Sequence, residues 1–167
     1  MDSASIVNLL DNDKMRDKFD EMYMGIAKSI AQQSYCKRAQ VGCIAVKNDN
    51  IVSFGYNGTL RGHKNECEET VVGPNGVTER KTRSDVLHAE QNLICKAARD
   101  GVSLKDATLY ITMMPCATCA NLIVQSGFKR IVVLDNYRSD LGYRTLTSRL
   151  NKKPIQVDFI EDLKNAC

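Results

Sequence analysis

HAEQNLICKAARDGVSLKDATLYITMMPCATCANLIVQSGFKRIVVL, residues 88–134, decides the fold. His88 to Arg99 reads as a helix, and Gly101 just beyond it suits a helix C-terminal cap. Leu109 to Met113 reads as a strand. Pro115, a residue favoured at helix starts, precedes a second helix over Cys116 to Gln125. Arg130 to Leu134 is a further strand. Helices alternating with strands predict an α/β sandwich in which βαβ crossovers give parallel neighbours.

Working outward, Asp140 to Leu150 reads as a helix and Ile155 to Ile160 as a last strand. Toward the N-terminus, Met15, Phe19, Met22, Ile26 and Ile30 recur at spacings of three and four, so Asn12 to Ser34 is an amphipathic helix. Val41 to Val46 and Ile51 to Phe54 are short apolar runs separated by the turn-prone Lys47-Asn48-Asp49-Asn50, the pattern of a hairpin. Gly55-Tyr56-Asn57-Gly58 ends its second strand. Thr59 to Leu87 shows no apolar period and is rich in Gly, charge and Asn. It reads as a structureless stretch, either a functional loop or a flexible insertion. There is no repeat or linker, so residues 1–167 are expected to form a single domain.

The composition is that of a globular chain of 167 residues, 43% apolar and 26% charged. A net charge of +3 suits an anionic substrate but leaves no footprint of a nucleic-acid-binding surface. No stretch approaches the roughly 18 continuous apolar residues of a membrane span, and the first residues lack the basic start of a secretory signal. Seven cysteines is an odd count for a disulfide scaffold. Reduced thiols in a cytoplasm are therefore expected, which frees cysteines for metal binding.

His88-Ala89-Glu90 opens one predicted helix and Pro115-Cys116-Ala117-Thr118-Cys119 the next. Cys116 and Cys119 are three apart, so one helical turn puts both thiols on one face. A helix N-terminus favours thiolate over thiol. His88, Cys116 and Cys119 would fill three positions of a tetrahedral Zn2+, and a fourth left open for water marks a catalytic site. Zinc would make hydroxide available near neutral pH, and a carboxylate close by but unbound must carry the protons. Glu90 is that candidate. Two other readings stand beside this one. A lone CxxC can be a redox pair, and a closed structural zinc could serve an interaction module, with His63 the only other histidine.

The pairing of H-x-E with P-C-x-x-C resembles the zinc deaminases, in which hydroxide attacks C4 of cytosine or C6 of adenine. Val41-Gly42-Cys43-Ile44, Gly55-Tyr56-Asn57-Gly58, His88-Ala89-Glu90-Gln91-Asn92 and Pro115-Cys116-Ala117-Thr118-Cys119-Ala120, in that order, resemble the deoxycytidylate deaminase family of the cytidine deaminase superfamily. The resemblance runs from about Ile26 to Ile160 and includes Gln125-Ser126-Gly127. It implies a three-layer α/β/α sandwich around a five-stranded mixed sheet, a homo-oligomer that is hexameric in many members, and hydrolysis of dCMP to dUMP and ammonia. Nucleoside cytidine deaminases usually carry Cys where this chain has His88. Transfer-RNA adenosine deaminases keep the His but lack the Gly-Tyr-Asn-Gly block and the insertion after it, and they remain the alternative.

The same resemblance assigns substrate contacts to Asn57, Ala89, Tyr137 and Arg138, with Lys37 and Arg38 as further candidates for the phosphate. Asn57 has another reading as a turn residue at a strand end, and Arg138 as a surface arginine. Members are commonly activated by dCTP and inhibited by dTTP. The resemblance places that effector, with Mg2+ between its phosphates, at Gly55, Tyr56, Gly58 and Arg99. Arg99 near a helix C-terminus also has a structural reason to be basic. Some members hold a second zinc, for which Cys36, His63 and Cys67 could serve here. Arg83 stands where many members have cysteine and Val86 where others have an acidic ligand, leaving Asp85 as a substitute. The other reading leaves Cys36 and Cys67 as free thiols. Cys43 and Cys95 are expected in the core.

Overall fold

The structure, a computed structural model, describes residues 18–160 apart from 149 and 152. Helix α1 covers residues 18–31; the part of that helix predicted for residues 12–17 lies outside the described residues. Strands β1 (Gly42–Lys47) and β2 (Asn50–Tyr56) form the expected hairpin. Asn48 and Asp49 both take positive φ, 50° and 60°, as a two-residue hairpin turn requires. Helix α2 (Ala89–Arg99), strand β7 (Thr108–Met113), helix α3 (Ala117–Ser126) and strand β8 (Arg130–Asp135) follow the predicted alternation. Between β2 and α2 lie β3 (Gly58–Thr59), β4 (Glu68–Val72), β5 (Thr78–Thr82) and β6 (Val86–Leu87). Helix α4 (Leu141–Leu146) and strand β9 (Gln156–Phe159) complete the order.

The central sheet has five strands in the order β2-β1-β7-β8-β9. β1 is antiparallel to both neighbours, while β7, β8 and β9 run parallel, so the sheet is mixed. Successive residues of the central strands are buried on opposite faces, which demands cover on both. Cys43, Ala45, Leu109, Ile111, Ile131 and Val133 pack with Leu93 of α2, Ile123 of α3 and Leu146 of α4. Ile44, Val46, Tyr110 and Val132 pack on the other side with Tyr23, Met24 and Ala27 of α1. The layers are therefore α/β/α. Where α1 crosses the start of β8, the buried Asp20 carboxylate accepts two hydrogen bonds from Arg130, at 2.8 and 2.7 Å, and one from Tyr110 at 2.6 Å. Arg130 also donates to Asp158 at 2.6 Å, so this buried charge pair is fully hydrogen-bonded.

Three expectations need correction. The stretch from Thr59 to Leu87 is not structureless. β4 and β5 pair over five rungs around Gly73-Pro74-Asn75-Gly76, and β3 pairs with β6. β5 is exposed along its whole length, so its sequence carries no apolar alternation and left no strand signal. The helix predicted to Leu150 ends at Leu146, because the Asn151 side chain donates to the carbonyls of Thr145 and Leu146 and stops the ladder. Cys95 is exposed whereas Cys43 is buried. α2 buries Leu93 and Ala97, and a residue midway between them points to the opposite face.

Candidate active site

The parallel strands β7 and β8 deliver the chain to the start of α3 and to the loop 136–138 on one edge of the sheet. Met114 N–H donates to the Asp135 carbonyl at 2.8 Å and locks these two exits together. Cys116 caps α3 with extended backbone, and His88 caps α2 in the same way. The Gln91 side chain accepts a hydrogen bond from the His88 N–H at 2.8 Å, which fixes the entry of α2. α4 is wedged behind α3. A Cβ at Gly142 would overlap the Pro115 carbonyl, so only glycine lets α4 approach the cysteine turn this closely.

His88 Nδ1 lies 3.7 Å from Cys116 Sγ and 3.5 Å from Cys119 Sγ, and among the described residues these three form the cluster able to hold a metal. Ligands of a tetrahedral zinc with ordinary Zn–N and Zn–S bonds sit about 3.6 Å apart, so the cradle has the right size. Its donor chemistry fits as well. Burial, and next the Glu90 charge, push the Cys119 thiol well above the ordinary range. Two thiols and an imidazole are ordinary zinc donors, and a bound cation would deprotonate the thiols. His63 forms a 3.3 Å pair with Asp85 instead of joining the cradle, and Arg83 holds the other oxygen of that carboxylate at 3.0 Å. No fourth protein ligand closes the cradle among the described residues, as a catalytic zinc site requires. Glu90 is 4% exposed, and burial raises its carboxyl above the usual carboxylate range.

A cavity of about 400 Å³ opens over this cluster. Asn57, Ala89, Tyr137 and Arg138, singled out from the sequence, all line it, as do His88, Glu90 and Cys116. Arg38 lines it and Lys37 does not. The Asn57 amide is engaged at both ends by backbone. Its oxygen accepts from Val41 N–H and its nitrogen donates to the Ala39 carbonyl, each at 2.8 Å. Asn57 thus fastens the segment before β1 to the cavity wall. Sequence reasoning missed Glu68, Thr82, Met113, Met114 and Asn136. Asn136 could have been found as the neighbour of Tyr137. Glu68 and Thr82 could not, because only the pairing of β4 with β5 brings them here.

A second cavity, about 480 Å³, adjoins the first. Tyr56, Gly58 and Arg99 line it with Arg61, His63 and Lys96, giving it a basic character. Lys96 Nζ sits 3.8 Å above the Phe54 ring, and burial lowers its pKa from the ordinary value. Gly55 is not on this wall. It lies beneath α2, where a Cβ would overlap the Ala89 carbonyl. Adjacent residues are divided between the cavities: Cys36, Asn57 and Glu68 line the first, while their neighbours Tyr35, Tyr56, Gly58 and Cys67 line the second.

Cys36 and Cys67 require a correction. Their sulfurs are joined as a disulfide, with Cα atoms 5.1 Å apart, so they are neither free thiols nor a ligand set with His63. The folded hairpin supplies the reason. Cys67 leads directly into β4, whose Glu68 is hydrogen-bonded to the backbone of residues 37 and 38 beside Cys36.

Comparison with known proteins matches residues 17–135 to the cytidine and deoxycytidylate deaminase zinc-binding region. A deoxycytidylate deaminase of Saccharomyces cerevisiae is 37% identical over 134 residues, 75% of this chain, though the chain spans only 40% of that protein's length. A deoxycytidylate deaminase of Mycobacterium phage D29 is 37% identical over 123 residues, covering 70% of this chain and 94% of the phage protein. Among solved structures, the dCMP deaminase of cyanophage S-TIM5 in complex with dCMP and dUMP is 36% identical, with a TM-score of 0.72 over 85% of this chain and 96% of that one.

Proposed function

This chain belongs to the cytidine and deoxycytidylate deaminase family, and from that premise we propose that it hydrolyses dCMP to dUMP and ammonia. The observation that carries the proposal is one cavity lined by His88 and Cys116 of the cradle and by buried Glu90, together with Arg38 and Arg138. A cytosine ring fits the first group and a phosphate monoester the second. The phage structure with dCMP and dUMP supports the choice of substrate.

Zinc, when bound by His88, Cys116 and Cys119, would supply a water acidified toward neutral pH. Glu90, its carboxyl raised by burial, is suited to hold the proton released when water adds at C4 and to deliver it to ring N3. The same carboxyl would then carry the hydroxyl proton of the adduct to the exocyclic nitrogen, so that the C4–N bond breaks and ammonia leaves. The Ala89–Glu90 turn at the start of α2 keeps that carboxyl beside the cradle without using it as a ligand. Asn57 fastens the cavity wall, and Tyr137 and Arg138, which line the same cavity, are the further candidate contacts to the nucleotide.

The second cavity supports a regulatory reading of the same enzyme. Its basic lining of Arg61, Lys96 and Arg99 beside Tyr56 suits a nucleoside triphosphate with Mg2+, dCTP as activator and dTTP as inhibitor. The hexamer belongs to this proposal through the resemblance. Zinc-loaded protein incubated with dCMP should lose cytosine absorbance, with dCTP added in one arm. Cytidine, dCTP alone and an adenosine-containing RNA hairpin run in parallel as competing substrates. Turnover of the RNA with none of dCMP would move the assignment to the transfer-RNA enzyme.

A further inference from the structure

The hairpin β4–β5 buries little of its own surface, yet one of its rungs grips a single residue at two points. Glu68 pairs directly with Thr82 across the ladder, so their side chains leave the same face. The Glu68 carboxylate accepts from the backbone N–H of Lys37 at 2.8 Å and of Arg38 at 3.1 Å. The Thr82 hydroxyl accepts from the Arg38 guanidinium at 3.2 Å. Arg38 is thus held by its backbone and by its tip, on the cavity wall. Among the described residues no carboxylate forms a salt bridge with that guanidinium. Its charge is left for a ligand, while the Glu68 charge is spent on two amides.

We propose that Glu68 and Thr82 are positioning residues that fix Arg38 against the phosphate of the substrate, so that the hairpin sets the preference for nucleotide over nucleoside. This rests on the deaminase reading above. An arginine on an exposed segment has several freely rotating bonds, and a phosphate gains most from a fork already aimed at it. Glu68 restrains the backbone from which the side chain springs, and Thr82 removes freedom at the other end. Neither residue reaches the reacting carbon, so their effect falls on binding the phosphate-bearing ligand.

The test measures binding of dUMP and deoxyuridine to the zinc-loaded protein by calorimetry, alongside kcat and KM for dCMP and deoxycytidine. Glu68→Ala should weaken dUMP binding and raise KM for dCMP about tenfold, the loss expected for one charged hydrogen bond. It should leave kcat and the deoxyuridine affinity within about twofold, the scatter of a neutral substitution. Glu68→Gln, whose amide oxygen accepts the same two N–H groups, should recover most of the affinity. Thr82→Val, at an exposed position, should show the same selectivity at about threefold. Adding Glu68→Ala to Arg38→Ala should cost nothing more, because the positioned group is already gone. Equal losses for dUMP and deoxyuridine, full additivity with Arg38→Ala, or no rescue by glutamine would each overturn the proposal. A wild-type protein that turns over neither dCMP nor deoxycytidine, even with dCTP added, would instead remove the dCMP reading beneath it.

Discussion

The floor of the first cavity hangs from two helix starts packed against the central sheet, whereas its roof is a two-stranded hairpin exposed along one strand. On the floor, Cys119 is 0% exposed and Glu90 4%, and the backbone on either side is fixed by caps and by the joint at Gly142. On the roof, position is held by a disulfide and three hydrogen bonds to side chains. Groups that hold reacting atoms need sub-ångström placement and low dielectric, which packed helices provide. Groups that only recognise a substrate's outer end tolerate a lighter support. The two regions should therefore fail differently when altered.

The largest effect is expected on the floor. Glu90→Gln should lower kcat by about 10³-fold, within the range of a lost acid–base group, and should do so equally for dCMP and deoxycytidine. Bound zinc and thermal stability should stay near wild type, as metal analysis and calorimetry would report. A variant that lost dCMP turnover selectively would blur the division between the regions. Next comes the roof's covalent tie. Cys67→Ser opens a loop of 31 residues and should lower unfolding stability by about 3 kcal/mol, read from denaturant titration against the wild type. An unchanged midpoint would mean that the hydrogen bonds alone hold the hairpin.

Gly142→Ala tests the joint behind the floor. Forcing a methyl against the Pro115 carbonyl should cost about 2 kcal/mol and loosen zinc retention under a chelator. If stability fell while zinc retention held, α4 would be supporting the core without positioning the cradle. The smallest effect lies remote from both regions. Tyr110→Phe removes one hydrogen bond to the buried Asp20 and should cost about 1 kcal/mol, with kcat and KM unchanged.

The same division governs what could be read from the sequence. The floor was legible because its chemistry is local. H-x-E and P-C-x-x-C each sit within one helical turn, and the sheet between them announces itself through β-branched runs. The roof was not. Glu68 and Thr82 are 14 positions apart in the sequence, and meet only because β4 and β5 pair across a turn with no apolar face to betray it. The joining of Cys36 to Cys67 depends on that same pairing, so counting cysteines pointed to free thiols. Cys95 is exposed because it lies on the face of α2 opposite Leu93 and Ala97, which residue type alone does not reveal. Arg99 and Tyr56 line one cavity together, while Gly55, from the same block, serves the contact of β2 with α2.

The division of adjacent residues between the two cavities constrains how this protein can change over time. A substitution at 57 or 68 that suits one chamber alters the backbone shared with 56, 58 or 67, and so is felt in its neighbour. Selection on the two chambers cannot act independently along these residues.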